Sequence, residues 1–255
     1  MIVSAQEQSW LLEEKYDSER TPEFKEDKRR LEDGEPIAYV IGFSDFLDCR
    51  IDLSRRPLIP RSETEYWVGI MIERMQKESA GKPLRCLDIF SGSGCIGIAL
   101  LKHLPNATVD LADSEAFCLE QIAINLEKNA IAPERARVIK SDVFGSIHGR
   151  YDYIFANPPY IAEGRKDRVE KSVMRYEPSQ ALWGGEDGLR YIRTFLAETS
   201  RYLKPDGILA MEFDDTQQKT IAEYIAGETS LHAEFFKDQY GLFRWLVTRY
   251  ARGTP

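Results

Sequence analysis

From Leu84 to the C-terminus the chain alternates short apolar runs with longer amphipathic ones, and few architectures accept that order. "LRCLDIF" reads as a buried strand, "GCIGIALLKHLP" as a helix stopped by Pro105, "ATVDLAD" as a strand and "SEAFCLEQIAINLEKNA" as a helix. "ARVIKSD" and "YDYIFANPPY" are two more strands, followed by a long loop with some helix. "LRYIRTFLAETSRYLKPDG" predicts a helix carrying its own stop signal, and "ILAMEFD" a strand. "DTQQKTIAEYIAG" then predicts a helix, and "LHAEFFKDQYG" with "LFRWLVTRY" two strands joined tightly enough to be a hairpin. Strands separated by helices pair in parallel, with the helices on both faces. The expected fold class is α/β: an open, doubly wound, mostly parallel seven-stranded sheet with an antiparallel C-terminal hairpin.

The segment before this alternation is different. Residues 1 to about 33 read as helix with a break near "SERTPEF", Trp10, Leu11 and Leu12 lying beside a charged face. The expectation is a solvated helix with few core contacts. "AYVIGFSDFLDCRIDLS" follows, and the alternation in "FLDCRIDL" predicts a β-hairpin or short strands, punctuated afterwards by Pro57 and Pro60. Thr64 to Lys77 reads as an amphipathic helix with Trp67, Ile70, Met71 and Met75 toward the core. The expected division is a helical segment at 1–33, a hairpin linker at 34–62 and a main domain at 63–255.

At 255 residues and 43% hydrophobic, the chain can build a sizeable core. No apolar run approaches the roughly 18 residues of a membrane span, and the N-terminus lacks the basic-then-apolar order of a secretory signal. A cytoplasmic protein without membrane attachment is expected. The four cysteines form no C-x-x-C pair and the three histidines do not cluster with them, so no metal site is expected. A formal net charge of −8 argues against a stand-alone nucleic-acid binder, which shows a basic face.

Two stretches carry chemistry. In "LDIFSGSGCIGIAL" a strand ends at Asp88, and Gly92, Gly94 and Gly97 precede a helix. Glycine permits positive φ and close ligand approach, the helix start offers free N–H groups, and ligands of open α/β sheets bind beyond the strands' carboxyl ends. Asp113 ends the next strand about 25 residues on, where a carboxylate can accept both hydroxyls of a ribose. It could equally cap the helix that follows. Asp142 in "KSDVFG" ends the third strand, where it could accept an adenine amine or simply form a turn. Three acids and a glycine turn on successive strand ends describe a nucleoside pocket. NAD and S-adenosylmethionine both fit it, but Phe90 stands where G-x-G-x-x-G needs its first glycine, against the dinucleotide.

The second stretch is Asn157-Pro158-Pro159-Tyr160 at the end of the fourth strand, beside the same pocket. The Asn157 side-chain oxygen and the Pro158 carbonyl are both acceptors, and together they could take both hydrogens of one planar –NH₂ group. The prolines fix the backbone beforehand, and Tyr160 offers a flat face for stacking. Such a nitrogen is a weak nucleophile, so orientation toward an electrophilic methyl is the catalytic task.

"LDIFSGSG", Asp113, "SDVF" and "NPPY", in this order, resemble the class I S-adenosylmethionine-dependent methyltransferases that act on planar nitrogens. Two flanking blocks narrow the choice. "GEPIAYVIGFSDFLDCRIDLSRRPLIPRSETE" and "YEPSQALWGGEDGLRYIRTFL" resemble the corresponding stretches of HemK/PrmC-type enzymes. Those enzymes methylate the glutamine side-chain amide in the Gly-Gly-Gln motif of peptide chain release factors.

The resemblance implies S-adenosylmethionine as cofactor and a release factor as protein partner; a monomer is expected. It puts Phe90, Ser91, Gly92, Ser93 and Gly94, with Asp88, around the methionine portion. Asp113 would hold the ribose, Asp142 and Val143 would border the adenine, and Asn157 would stand between cofactor and substrate. Asn157, Pro158, Pro159 and Tyr160 would hold the glutamine, and Glu63 in "PRSETE" would lie near the pocket or equally serve the start of the helix that follows.

There are departures. Family members commonly have glycine at Phe90, proline at Ser62 and an aromatic at Val143, and bacterial members carry a larger helical domain before the position of Gly34. The alternative is an amino-group methyltransferase of rRNA or DNA bases (guanine N2 or adenine N6). The basic run Arg165, Lys166, Arg168, Lys171, Arg175 would then line its groove, although interleaved acids make a solvated loop the plainer reading.

Overall fold

A computed structural model describes residues 3–79, 81–229 and 231–250; the outermost residues of the expected ranges, 1–2 and 251–255, lie outside the described residues. The N-terminal segment is two helices and a short third. Helix α1 (Ala5–Tyr16) starts at a reciprocal cap between Ser4 and Glu7, and α2 (Pro22–Glu32) starts at Thr21 with proline in its first turn. Helix α3 (Ile37–Ile41), which the sequence did not suggest, precedes the alternating stretch and ends at Gly42 with φ 103°.

These helices are not merely solvated. Val3, Leu11, Phe24, Leu31 and Val40 form a small core of their own, and Asp27 beneath it takes hydrogen bonds from Lys15 and Tyr16, both at 2.6 Å. Of the apolar residues read beside the charged face, Leu11 is fully buried and Trp10 is 47% exposed.

Strands β1 (Phe43–Phe46) and β2 (Cys49–Asp52) form the expected antiparallel hairpin. Its two-residue turn, Leu47-Asp48, has φ 45° and 60°, the left-handed pair that matches strand twist. Helix α4 (Ser62–Ser79) follows and buries Trp67, Val68, Met71, Ile72 and Met75. Ile70 points outward instead, because the buried stripe runs through 67/68, 71/72 and 75 at a spacing of four.

The main sheet contains β3 (Leu84–Ile89), β4 (Ala107–Asp113), β5 (Ala136–Lys140), β6 (Tyr151–Ala156), β7 (Leu203–Glu212), β8 (Leu231–Lys237) and β9 (Phe243–Tyr250). Their spatial order is β5-β4-β3-β6-β7-β9-β8, parallel except for β9, which runs antiparallel to both neighbours. The intervening helices are α5 (Cys95–His103), α6 (Ala116–Lys128), α7 (Lys171–Tyr176), α8 (Arg190–Thr199) and α9 (Gln218–Glu228).

Two apolar cores flank the sheet. In one, Trp67 of α4 stacks on Phe155 at 6.0 Å and on Trp245 at 5.9 Å. Helix α8 ends earlier than the sequence suggested. Its stop signal Pro205-Asp206-Gly207 sits inside β7 as an irregularity, where pairing with β6 jumps from Tyr151–Leu203 to Tyr153–Ile208 and Asp206 takes φ 64°. Among the described residues no helix is long and apolar enough to cross a membrane.

Strand β3 enters the sheet first and is flanked by β4 on one side and β6 on the other. Successive crossovers therefore leave in opposite directions, opening a crevice at the carboxyl ends of these three strands.

Candidate active site

A cavity of about 360 Å³ fills that crevice. The loop after β3 supplies its floor through Phe90, Ser91, Gly92 and Ser93. Gly92 has φ 56°, and a Cβ added there would meet nothing within 4 Å, so its backbone faces open space. Gly94 (φ 82°) turns the chain into α5 but does not reach the wall. At Gly97 a Cβ would meet Leu111 at 2.6 Å, so that glycine serves close packing of α5 on β4. Phe90 itself has φ 60°, left-handed for a residue with a side chain, which is why glycine suits this position; its ring packs edge-on against Tyr191 and Phe195.

The three acids are not equivalent. Asp113, at the end of β4, lines the cavity; it accepts from the Gly92 N–H at 2.8 Å and the Glu115 N–H at 3.0 Å. It does not cap α6, which begins at Ala116. Burial pushes its carboxyl above the ordinary value. Asp142 and Val143 line the far end with Ser141, and Val143 takes φ 44°, a strained value for a β-branched residue.

Asp88 does not reach the cavity. It is fully buried beneath the loop, where Oδ2 accepts from Ser91 Oγ at 2.5 Å and from the Gly97 N–H at 3.0 Å, and Oδ1 has no partner. Burial pushes this carboxyl up to about 7. Its position supports the glycine turn rather than contacting a ligand.

Asn157 and Pro159, after β6, close the cavity at one end. Beyond them lies a second cavity of about 630 Å³, lined by Asn157, Pro158, Tyr160, Arg165 and Arg168 among others. The two cavities share Leu58, Arg61, Asn157 and Ala181 as walls. The structure thus divides the predicted residues at Asn157: the glycine loop, Asp113, Asp142 and Val143 on one side, Pro158 and Tyr160 on the other; Pro159, expected with the substrate-holding residues, lies on the wall of the first cavity instead.

Several contributors carried no motif. Glu212, at the end of β7, is 1% exposed and accepts hydrogen bonds from Thr64 Oγ1 (2.6 Å), Trp67 Nε1 (2.8 Å) and Tyr160 OH (3.0 Å). Thr64 Oγ1 also lies 3.3 Å from Asn157 Nδ2. Glu177 is buried and accepts from Arg61 at 2.6 Å and from the Ile59 N–H at 3.1 Å, strapping the segment before α4 to the stretch 176–183. Glu63 is not on either wall and only accepts from Ser62; its neighbours Arg61 and Thr64 occupy the wall instead. A glutamate in the otherwise apolar run "ILAMEF" was the one visible sign of Glu212.

The basic run is mostly engaged with the protein. Arg165 pairs with Asp214 at 3.0 Å, Lys166 lies over Trp183, and Arg175 donates to the Asp33 carbonyl. Among the described residues no group of three or more His, Cys, Asp or Glu is arranged to hold a metal ion.

Comparison with known proteins agrees with this geometry. The "Methyltransferase small domain" family model matches residues 68–186. The release factor glutamine methyltransferase of Streptococcus pneumoniae is 32% identical over 240 residues, covering 92% of this chain and 83% of that protein. The release factor glutamine methyltransferase of Lactococcus lactis is 33% identical, covering 84% and 77%.

Among solved structures, the hMettl16 catalytic domain in complex with the MAT2A 3′UTR hairpin 6 aligns with TM-score 0.61 at 17% identity, over 82% of this chain and 78% of that one. The ribosomal protein L11 methylase of Lactobacillus delbrueckii aligns with TM-score 0.54 at 19% identity, over 78% and 82%. At those identities the structures share the fold alone. The sequence relatives go further: spanning most of both chains at more than 30% identity, they make this chain a member of the release factor glutamine methyltransferase family.

Proposed function

We propose that this protein transfers a methyl group from S-adenosylmethionine to the side-chain amide nitrogen of glutamine in the Gly-Gly-Gln motif of a peptide chain release factor. The observation that carries this reading is the meeting of two cavities at Asn157, one ringed by nucleoside-type contacts and one opening outward past Pro158 and Tyr160. The residues present fit the cofactor. The open backbone at Gly92 suits its methionine portion, the Asp113 carboxylate its ribose, and Asp142 with Val143 its adenine. When bound, S-adenosylmethionine supplies an electrophilic methyl on a positively charged sulfur.

The protein's own part is to bind and orient. Asn157 Oδ1 and the Pro158 carbonyl accept the two hydrogens of the substrate –NH₂, which fixes the plane of the amide. The proline ring holds that carbonyl in place before binding, so little entropy is lost on docking. Tyr160, its hydroxyl tied to Glu212 at 3.0 Å, presents a fixed ring beside the amide. The division into a helical segment 1–33, a hairpin linker 34–62 and a catalytic domain 63–255 belongs to the same reading, as does a cytoplasmic location, where release factors act.

The test is incubation with methyl-labelled S-adenosylmethionine and a release factor. Label should enter the release factor, disappear when its Gly-Gly-Gln glutamine becomes alanine, and disappear with Asn157→Ala while cofactor affinity stays within about threefold. Label entering RNA or DNA from a lysate, with the release factor unlabelled, would replace this reading by a base amino-methyltransferase.

A further inference from the structure

Asn157 has an amide whose oxygen and nitrogen can exchange places by a half-turn about the terminal side-chain bond. The proposed chemistry needs the oxygen toward the substrate: with the nitrogen there, two –NH₂ groups would face each other. Something must therefore select one orientation.

A chain of hydrogen bonds does so. Glu212 stands at the end of β7; burial raises its carboxyl above the ordinary value, while the donors Thr64, Trp67 and Tyr160 and the nearby Arg244 oppose that and favour the carboxylate, which can only accept. Thr64 has a single hydroxyl hydrogen and spends it on Glu212 Oε2 at 2.6 Å. Its oxygen then has only lone pairs to offer to Asn157, at 3.3 Å, so the atom facing Thr64 must be the donor Nδ2. Oδ1, turned about 120° away by sp² geometry, has no hydrogen-bond partner among the described residues and stays available as an acceptor.

The same carboxylate holds Tyr160 through Oε1 and is itself anchored by Trp67 Nε1 at 2.8 Å. Glu212 is 1% exposed and Thr64 is 2% exposed, so water does not compete for the bonds of Glu212 to Thr64 and Trp67; Asn157 and Tyr160, at the cavity walls, are partly buried. Among the described residues no buried side-chain atom of Glu212, Thr64 or Tyr160 is left unpaired, and Asn157 Oδ1, the one acceptor of this hydrogen-bond chain without a partner, is not among the fully buried atoms.

We infer that Glu212 and Thr64 are positioning residues, which set the orientation of the Asn157 amide and hold the Tyr160 ring through a one-directional hydrogen-bond chain from β7 across α4 to the loop after β6. The inference rests on the proposed role of Asn157 as acceptor for a substrate –NH₂.

Thr64→Val tests it, because valine keeps the shape and removes the hydroxyl, whereas Thr64→Ser keeps the hydroxyl. Three quantities are measured on wild type and both variants. They are kcat and KM for release-factor methylation, cofactor Kd by calorimetry, and hydrogen exchange of the Asn157 side-chain NH₂, whose NMR signal is assigned by its loss in Asn157→Ala.

Thr64→Val should lower kcat tenfold or more with cofactor Kd within about threefold, and should speed exchange of the Asn157 NH₂. Thr64→Ser should restore both to within about threefold of wild type. Unchanged exchange in Thr64→Val, or a loss that serine does not restore, would overturn the inference. A fall in kcat matched by an equal loss of cofactor affinity would also overturn it, since Thr64 would then only shape the wall. If wild type labels no release factor, the functional reading fails by itself. The exchange comparison still decides the orientation: faster exchange in Thr64→Val alone supports the chain, and equal exchange refutes it.

Discussion

Replacing Asp88 by asparagine should change how stability depends on pH. Its carboxyl is 0% exposed, with one oxygen bonded to Ser91 and Gly97 and the other unpartnered. Burial, opposed by those two bonds and reinforced by the nearby charge of Asp113, raises it from the ordinary 3.8 to about 7. Below pH 3.8 the folded and unfolded chains both hold the proton, and the group costs no pH-dependent stability. Between there and about 7 the unfolded chain has released its proton while the folded chain retains it, so stability falls as pH rises. Above that the full loss is in place. At about 1.4 kcal/mol per pH unit, the interval corresponds to a loss on the order of 4 kcal/mol.

The side chain introduced by Asp88→Asn cannot ionise. Its amide oxygen can take over the bonds from Ser91 and Gly97, and its NH₂ replaces the unpartnered acid O–H of the low-pH form. The assay is urea unfolding of both proteins at intervals from pH 4.5 to 8.5. The stability difference should move by about 3–4 kcal/mol in favour of the variant across that range, equivalent to roughly 6–16 °C in Tm for a chain of this size. A difference constant to within about 1 kcal/mol would refute the buried, proton-retaining carboxyl.

At Phe90, with φ 60°, the usual ranking of small residues should invert: Phe90→Ala should be less stable than Phe90→Gly by about 1 kcal/mol, since only glycine escapes the left-handed cost, and calorimetric Tm values decide it. Arg61→Met should leave the buried Glu177 carboxylate without its cation and cost about 2–3 kcal/mol in urea unfolding, less than a fully buried pair because Arg61 is partly exposed. All four cysteines are buried, and burial pushes the Cys95 thiol up to about 12, so a thiol-specific dye should react slowly with the native protein and with four equivalents in denaturant; rapid native reaction would contradict the packing around the cavity. Tyr160→Phe removes one of the three donors to Glu212 and should reduce kcat less than Thr64→Val does, as read by the same methylation assay.

The sheet was legible because its signals are local. Each strand is a short apolar run with a polar stop, and a parallel sheet follows from their alternation with helices. The glycine loop, Asp113 and Asn157 were legible because strand ends in such a sheet converge. Asp88 is the penultimate residue of β3 and Asp113 the last of β4, and nothing in the sequence says that one points under the loop and the other into the crevice. That depends on which face of the sheet each side chain takes, a matter of register. Glu212 and Thr64 are 148 residues apart and meet only because α4 packs across the ends of β6 and β7. Ile70 was misplaced because spacings of three and four are both compatible with a helix stripe, and the neighbouring Val68 and Ile72 decided between them. The N-terminal core was hidden by a charged surface that outnumbers the few apolar residues beneath it.

Asn125 of α6 is fully buried and uses its whole amide between two distant pieces of chain. Its Oδ1 accepts from the Asp52 N–H at 2.7 Å, and its Nδ2 donates to the Asp52 carbonyl at 3.1 Å and to the Ser93 carbonyl at 2.9 Å. The glycine loop and the β1–β2 hairpin are thereby riveted to one side chain. Neither can open locally without stripping hydrogen bonds from a group that has no access to water, so the two should open as one unit, a coupling that native-state exchange would read. A ligand that immobilises the loop at Ser93 should therefore slow amide exchange at Asp52 in the hairpin as well.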